Sequence, residues 1–270
     1  GGQGNTAETG SHATVGGGNN NTSSSDYATI SGGNGNTASN TYSTVSGGLN
    51  NTASGTVATV GGGASNIASA LRSTVGGGAN NSASADYSTI SGGQSNTASG
   101  ENSTIIGGLR GKAYSYGQSS SASGQISNDG DAQVSQLISR READLTTGGT
   151  TTLHLDGSSI NFSFDTANKA ANILAEWIAV VDSISGTATG VSVGDVIAQD
   201  DLFLLKEVGG TMSIVGTVTN TGTKNDTSQA TASMAYSTGG TELDITFTGA
   251  TFSGGGTLTY RIVHRIIMVE

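Results

Sequence analysis

Asn51-Thr52-Ala53-Ser54-Gly55-Thr56-Val57-Ala58-Thr59-Val60-Gly61-Gly62-Gly63-Ala64-Ser65 is one copy of a fifteen-residue unit that fills the first half of the chain. A Thr followed by Val or Ile begins at Thr14, Thr29, Thr44, Thr59, Thr74, Thr89 and Thr104, with no slip in the spacing. An Asn returns at the same interval, as Asn21, Asn36, Asn51, Asn66, Asn81 and Asn96. A fixed short period of this kind marks a solenoid. A unit this small cannot bury its own apolar face, so its core comes from stacking or from association of chains.

The spacing inside the unit sets the class. In Tyr27-Ala28-Thr29-Ile30 alternation predicts Ala28 and Ile30 on one face and Tyr27 and Thr29 on the other. The inward ladder is then Val15, Ile30, Val45, Val60, Val75, Ile90 and Ile105. A short strand ending in glycines, followed by a weaker strand at Asn-Thr-Ala-Ser, fits one turn of a parallel β-roll. Glycine stands where the chain bends sharply or takes positive φ. Stacked turns about 4.8 Å apart make a rod of roughly 30–35 Å. No helical period is present, and collagen needs Gly at every third residue together with Pro, which this chain lacks. One Val or Ile and one or two Ala or Ser per turn make a thin core. At about 25 cal/mol per Å² it hardly offsets the ordering entropy of the unit. The expectation is that several chains share the burial.

The units Asn51-Thr52-Ala53-Ser54-Gly55 and Tyr87-Ser88-Thr89-Ile90-Ser91-Gly92-Gly93 resemble the YadA-like head repeats of trimeric autotransporter adhesins and the related hemagglutinin-type repeats of phage fibres. The resemblance covers roughly residues 1–125. It implies a left-handed parallel β-roll, three chains about a long axis, and surface attachment. The Gly-Gly or Gly-Gly-Gly that ends each strand here departs from the single Gly common in that family, so loop geometry is expected to differ.

Composition supports an ordered polar fibre. Only 33% of residues are hydrophobic and 11% charged, while 44 are glycine. Without cysteine there is neither a disulfide nor a thiolate metal site. A net charge of −10 argues against nucleic acid as a partner. Residues 1–110 carry Glu8, Asp26, Asp86 and Glu101 against Arg72 and Arg110, so most of the negative charge falls in the second half. No apolar run is long enough to predict membrane insertion. The chain opens inside a repeat, at Gly1-Gly2-Gln3-Gly4-Asn5, and reads as a piece of a longer fibre whose missing N-terminal part meets other virion tail proteins.

The first unit, Asn5 to Ala13, is one residue longer than the rest. The position two before each Thr reads Tyr27, Tyr42, Val57, Arg72, Tyr87 and Asn102. Such aromatics pair across stacked strands, and they also suit sugar binding. The Thr ladder reads as β-propensity, with an ice-binding array as the other option. After Ile106 the pattern degenerates, and Tyr114 to Gly117 add bulk over one further irregular turn. Arg110 and Lys112 are candidates for a ring about the axis or a solvated rim.

From Gln125 the composition changes. Residues 126–133 are expected to form a hinge around Asn128-Asp129-Gly130-Asp131, whose oxygens can be imagined on calcium but lack the spacing of a calcium loop. Residues 134–270 show many short strand candidates: 134–141, 151–155, 160–164, 191–193, 201–206, 212–218, 230–236, 242–247 and 258–269. Glycine-rich turns separate them, as expected of a β-sandwich or jelly-roll-like domain. The run Ala170–Val181 fits either a three-turn helix or a buried strand. Gly130-Asp131-Ala132-Gln133, Ser139-Arg140-Arg141, Leu153-His154-Leu155-Asp156-Gly157 and the closing 261–270 segment resemble C-terminal domains of phage tail fibres. That likeness implies a trimeric distal knob and a strand at 170–181.

No catalytic, cofactor or metal constellation stands out. His12, His154 and His264 are far apart in sequence, and no phosphate loop, nucleophile elbow or HExxH motif is present. Asp200-Asp201 reads as a turn and Glu242/Asp244 as the solvent face of a strand, although either pair can be imagined as glycosidase carboxylates. Arg261 and Val263 share one face of the last strand and His264 the other, so one set is expected to approach a threefold axis. The sequence thus predicts an all-β homotrimeric fibre, not an enzyme and without a cofactor. It would carry a shaft over 1–125 and a knob over 134–270, on a virion and directed at a host-surface glycan or outer-membrane receptor. The alternatives are a bacterial surface adhesin, a polysaccharide-degrading tailspike and a purely architectural appendage.

Overall fold

The structure, a computed structural model, describes residues 1–7, 11–125, 129–154, 170–189, 191–208, 211–225, 232–239 and 242–269. Every regular element among them is a strand, and the chain divides into Gly1–Ser135 and Gln136–Glu270.

The first unit is a parallel β-solenoid of about eight turns. One ladder stacks Thr6–Ala7 (β1), Thr22–Ser23 (β3), Thr37–Ala38 (β5), Thr52–Ala53 (β7), Ile67–Ala68 (β9), Ser82–Ala83 (β11), Thr97–Ala98 (β13) and Lys112–Ala113 (β15). The other stacks Thr14–Val15 (β2), Thr29–Ile30 (β4), Thr44–Val45 (β6), Thr59–Val60 (β8), Thr74–Val75 (β10), Thr89–Ile90 (β12), Thr104–Leu109 (β14) and Ser119–Gln125 (β16). Thr29 lies over Thr44, Thr59 over Thr74, and so on at a constant step. Across the longer first turn the step is one residue greater, with Gln3 on Asn19, Thr6 on Thr22 and Ala7 on Ser23. A third ladder of single bridges joins Gln3, Asn19, Asn34, Leu49, Ala64, Ala79, Gln94 and Leu109, a feature the apolar pattern does not announce.

The solenoid core is half polar. Ile30, Val45, Val60, Val75, Ile90 and Ile105 are fully buried by their own chain, and Val15 at the first turns is partly buried. Sharing between chains is therefore not needed to cover this ladder, a correction to the burial argument made from sequence. Behind it runs the Asn ladder, also fully buried from Asn21 to Asn96. Each Asn does the same work. Asn66 Nδ2 donates to Gly62 O at 2.8 Å and Gly78 O at 2.9 Å, and Asn66 Oδ1 accepts the Asn81 N–H at 3.0 Å. The side chain thus closes a turn within its own layer and clips it to the next. A buried amide with these partners forfeits little on leaving water.

The turn that precedes each Thr-Val strand differs from the alternation read from sequence. Tyr27, Tyr42, Val57, Arg72, Tyr87 and Asn102 have φ between 52° and 59°, so they sit in left-handed turns and not on the strand beside Thr29 and its equivalents. For Val57, β-branched, that conformation is an outlier. Stacking holds it there: Val57 N–H donates to Thr41 O at 2.9 Å, as Tyr42 N–H does to Asp26 O at 3.0 Å. Gly48 shows why glycine closes the other corner. Its φ is +93°, and a Cβ there would overlap the Gly63 carbonyl of the next turn.

The last turn exchanges the apolar ladder for hydroxyls and amides. Ser120 takes the place of Ile105, and Gln118 Nε2 donates to Ser120 Oγ at 3.0 Å and Ser135 Oγ at 2.9 Å. Gln133 accepts from Lys112 N–H at 2.8 Å and donates to Lys112 O at 2.9 Å, as a ladder Asn would.

The second unit packs two sheets face to face. Its strands are the later part of Asp129–Leu145 (β17), Thr150–Leu153 (β18), Ala170–Gly186 (β19), Val196–Val208 (β20), Thr211–Asn225 (β21), Ser233–Gly239 (β22), Glu242–Thr248 (β23) and Gly256–Val269 (β24). The large sheet has the order β17-β24-β19-β20-β21 and the small one β18-β23-β22, antiparallel throughout the latter. Trp177 meets Phe247 edge-on at 5.9 Å, and Phe247 meets Tyr260 at 5.1 Å, filling the space between sheets.

Several expectations change here. The 170–181 run is strand, because Ala171, Ile173, Ala175, Trp177, Ala179 and Val181 point inward at a period of two. Residues 191–193 form no strand; Ser192 N–H caps onto Asp195 Oδ2 at 2.7 Å in a turn. From Asp129 the expected hinge is strand, and Ile126–Asn128 lie outside the described residues, as do the strand candidate at 160–164 and Leu155.

Candidate functional site

On the solenoid the outward residues form narrow stacks. The His12, Tyr27 and Tyr42 rings lie parallel, with centroids 4.8 and 4.9 Å apart. The Arg72 guanidinium sits 5.6 Å from the Tyr87 ring centre. Because these rings are one turn apart, they cover each other's faces and present edges and hydroxyls outward. Arg110, exposed and also left-handed, pairs with Asp129 at 3.3 Å. The Lys112 backbone is gripped by Gln133.

Inside the sandwich, alternation on four strands and one cross-sheet residue assemble a buried polar cluster. Asp201, expected in a turn with Asp200, lies in the middle of β20 and points inward with only 1% of its surface exposed. It receives Trp177 Nε1 at 3.2 Å and Tyr236 OH at 3.1 Å on Oδ2, and Gln199 Nε2 at 2.5 Å on Oδ1. Tyr236 reaches across from the small sheet and also contacts His264 Nε2 at 3.1 Å, while His264 Nδ1 lies 3.3 Å from Ser139 Oγ. With the Tyr236 proton directed at an ionised Asp201, one tautomer satisfies every bond: His264 donates from Nε2 to Tyr236 and accepts from Ser139 at Nδ1.

The electrostatics follow from burial. Desolvation first, and the adjacent Asp201 charge second, push the Tyr236 phenol far above its usual range. Burial lowers His264 from 6.5 to about 3, so the imidazole is neutral at ordinary pH. His264, expected at an axis or rim, is instead enclosed by its own chain. Ser139 is equally buried, so the chain Ser139–His264–Tyr236–Asp201 is closed to a substrate as it stands.

The outer face of the large sheet is different. Arg261 is there with Val263, as alternation predicts, and pairs with Asp182 at 3.1 Å. Arg265 pairs with Glu176. Ile138, Ile178, Leu202, Val215 and Val263 are all more than a third exposed on this unit. Glu242 and Asp244 share the non-buried side of β23, as read from sequence. Among the described residues no three His, Asp or Glu side chains converge as metal ligands, and no helix is long and apolar enough to cross a membrane.

No family model and no curated protein matches the chain. Among solved structures, the tailspike protein of Acinetobacter baumannii phage AM24 is similar at 8% identity and a TM-score of 0.32, over 94% of this chain and 54% of that one. The tailspike of Acinetobacter phage vB_ApiP_P1 follows at 11% identity and 0.26, over 98% and 53%. Tailspike gp49 of Acinetobacter baumannii bacteriophage Fri1, described as a capsular polysaccharide depolymerase, gives 9% and 0.23, over 94% and 55%. This chain spans about half the length of each. The expectation of no enzymatic role is corrected on this finding, since a depolymerase is among the similar structures. At such identities and TM-scores the likeness assigns none of their activities to this chain.

Proposed function

We propose that this protein is a homotrimeric attachment protein of a phage tail appendage, with the solenoid over 1–125 as shaft, 126–133 as the join and the sandwich over 134–270 as the surface-binding knob. The observation that carries the reading is the unbroken register of the turns, each clipped to the next by the same Asn and backbone bonds. A stack of identical layers grows in length without forming a cleft, which suits a spacer. The repeat resemblance points the same way, and three copies would raise a weak single-site affinity by multivalency. A host-surface glycan or outer-membrane receptor is the ligand this predicts.

Binding of the labelled full chain to a panel of Gram-negative and Gram-positive isolates tests it. Expected is strain-restricted binding that periodate abolishes for a glycan receptor and protease abolishes for a protein one. Uniform absence of binding across the panel would leave an architectural appendage. Release of reducing ends from the bound polysaccharide would add cleavage to attachment.

A further inference from the structure

We infer that the outer face of the large sheet, centred on Ile178 and Val263, is the surface through which copies of this chain associate. This rests on the homotrimeric reading above and names the surface that reading requires.

Alternation gives β24 two faces, and the face carrying Tyr260, Ile262, His264, Ile266 and Met268 is filled by the chain's own small sheet. Only the face with Arg261, Val263 and Arg265 remains for another molecule. That face is organised in rows. Register places Val263, Ile178 and Ala198 side by side, and Ile267, Leu174 and Leu202 in a second row. Between them runs Arg265, Glu176 and Asp200. Ile178 is 42% exposed, Val263 41% and Leu202 45%. An antiparallel sheet with one solvated face ordinarily places polar side chains there, so two apolar rows call for a cover.

The cover that fits is a second copy. Eleven paired positions between β19 and β20 at about 3.4 Å, across five strands about 4.8 Å apart, give a face on the order of 900 Å². That is close to the roughly 800 Å² per partner of a stable interface. The charges also suit self-association. The chain carries −10, yet this face sets Arg261, Arg265 and Lys206 against Asp182, Glu176, Asp200, Glu142 and Asp144 and so holds only a small part of that charge. Copies can meet here without concentrating like charge, and the mixed row fixes their register.

The chain has no cysteine, so single introduced thiols report proximity cleanly. Light scattering gives the mass of the native full chain; Ile178→Cys and Val263→Cys are then oxidised and run without reductant, with Val193→Cys on an exposed turn as control. Expected are a native multimer, a covalent dimer band for the two sheet variants only, and a single-chain mass for Ile178→Asp with Trp177 emission unshifted. A native multimer that keeps its mass in Ile178→Asp and links at neither sheet position overturns the face and leaves the trimer standing. A native monomer at micromolar concentration overturns both. If Ile178→Asp unfolds, shown by red-shifted Trp177 emission, the thiol variants decide.

Discussion

The two units bury polar groups in opposite ways. The solenoid repeats one solution, an Asn amide bonded to the turn it closes and the turn it follows, from Asn21 to Asn96. The sandwich instead gathers six different residue types from five strands into one cluster. Repetition makes each layer's bonds independent of distant sequence; convergence makes Asp201 depend on residues up to 125 positions apart in the network it anchors. Damage should therefore stay local in the first unit and spread in the second.

The largest effect should come from Asp201→Ala. It takes the acceptor from Trp177 Nε1, Gln199 Nε2 and the Tyr236 hydroxyl, at about 1–3 kcal/mol for each buried donor left unmade. Urea unfolding followed by Trp177, the sole tryptophan, reads this on the sandwich alone. A midpoint unchanged from wild type would mean that the cluster is not what holds the sheets in register. Asn66→Ala should cost about 2–3 kcal/mol, since it removes the amide's bonds to the Gly62 and Gly78 carbonyls and leaves the buried Asn81 N–H without its acceptor. Asn5→Ala, at the half-buried first turn, also takes the acceptor from the Asn21 N–H, but water can replace part of its bonds, so it should cost less, about 1 kcal/mol. Equal losses at the two sites, measured by far-UV circular dichroism, would contradict the ladder account.

Acid should separate the units next. The folded state holds His264 neutral down to about 3, whereas the unfolded chain takes up its proton at 6.5. Between those values the unfolded state binds more protons, so stability is intact above 6.5 and falls as pH drops toward 3. At pH 5 the loss is about 2 kcal/mol, seen as a lower Trp177 transition that His264→Gln should flatten. The smallest effect belongs to Tyr42→Ala. One face of its ring is stacked on Tyr27 and its edge is in water, so the cost should stay within about 1 kcal/mol.

What sequence makes legible follows the same division. The period, the Val/Ile ladder, the Asn ladder and the longer first turn are all readable, because a repeat states each contact many times. The left-handed turn at Tyr27 and its equivalents is not, since a Tyr or Val at φ near 57° contradicts local preference and is set by bonds to the adjacent turn. In the second half the 258–269 strand and its alternation are readable. The Asp201 cluster is missed: adjacent aspartates look like a turn until Trp177, Tyr236 and His264 are brought to them by pairings remote in sequence. The inward parity of Asp201 with Phe203 and Leu205 was the one available signal.

The constant step of the solenoid has a consequence for inheritance. Since every middle layer offers the same bonds above and below, a gene segment coding for one whole layer can be duplicated or lost and the stack closes again without a mismatch. A gain or loss of any other length must be absorbed between the ladders if the pairing above and below it is to be kept, as Thr6 keeps its pairing with Thr22 across the longer first turn. Length is then a trait that selection can tune in whole layers while the sequence of the second unit is left untouched.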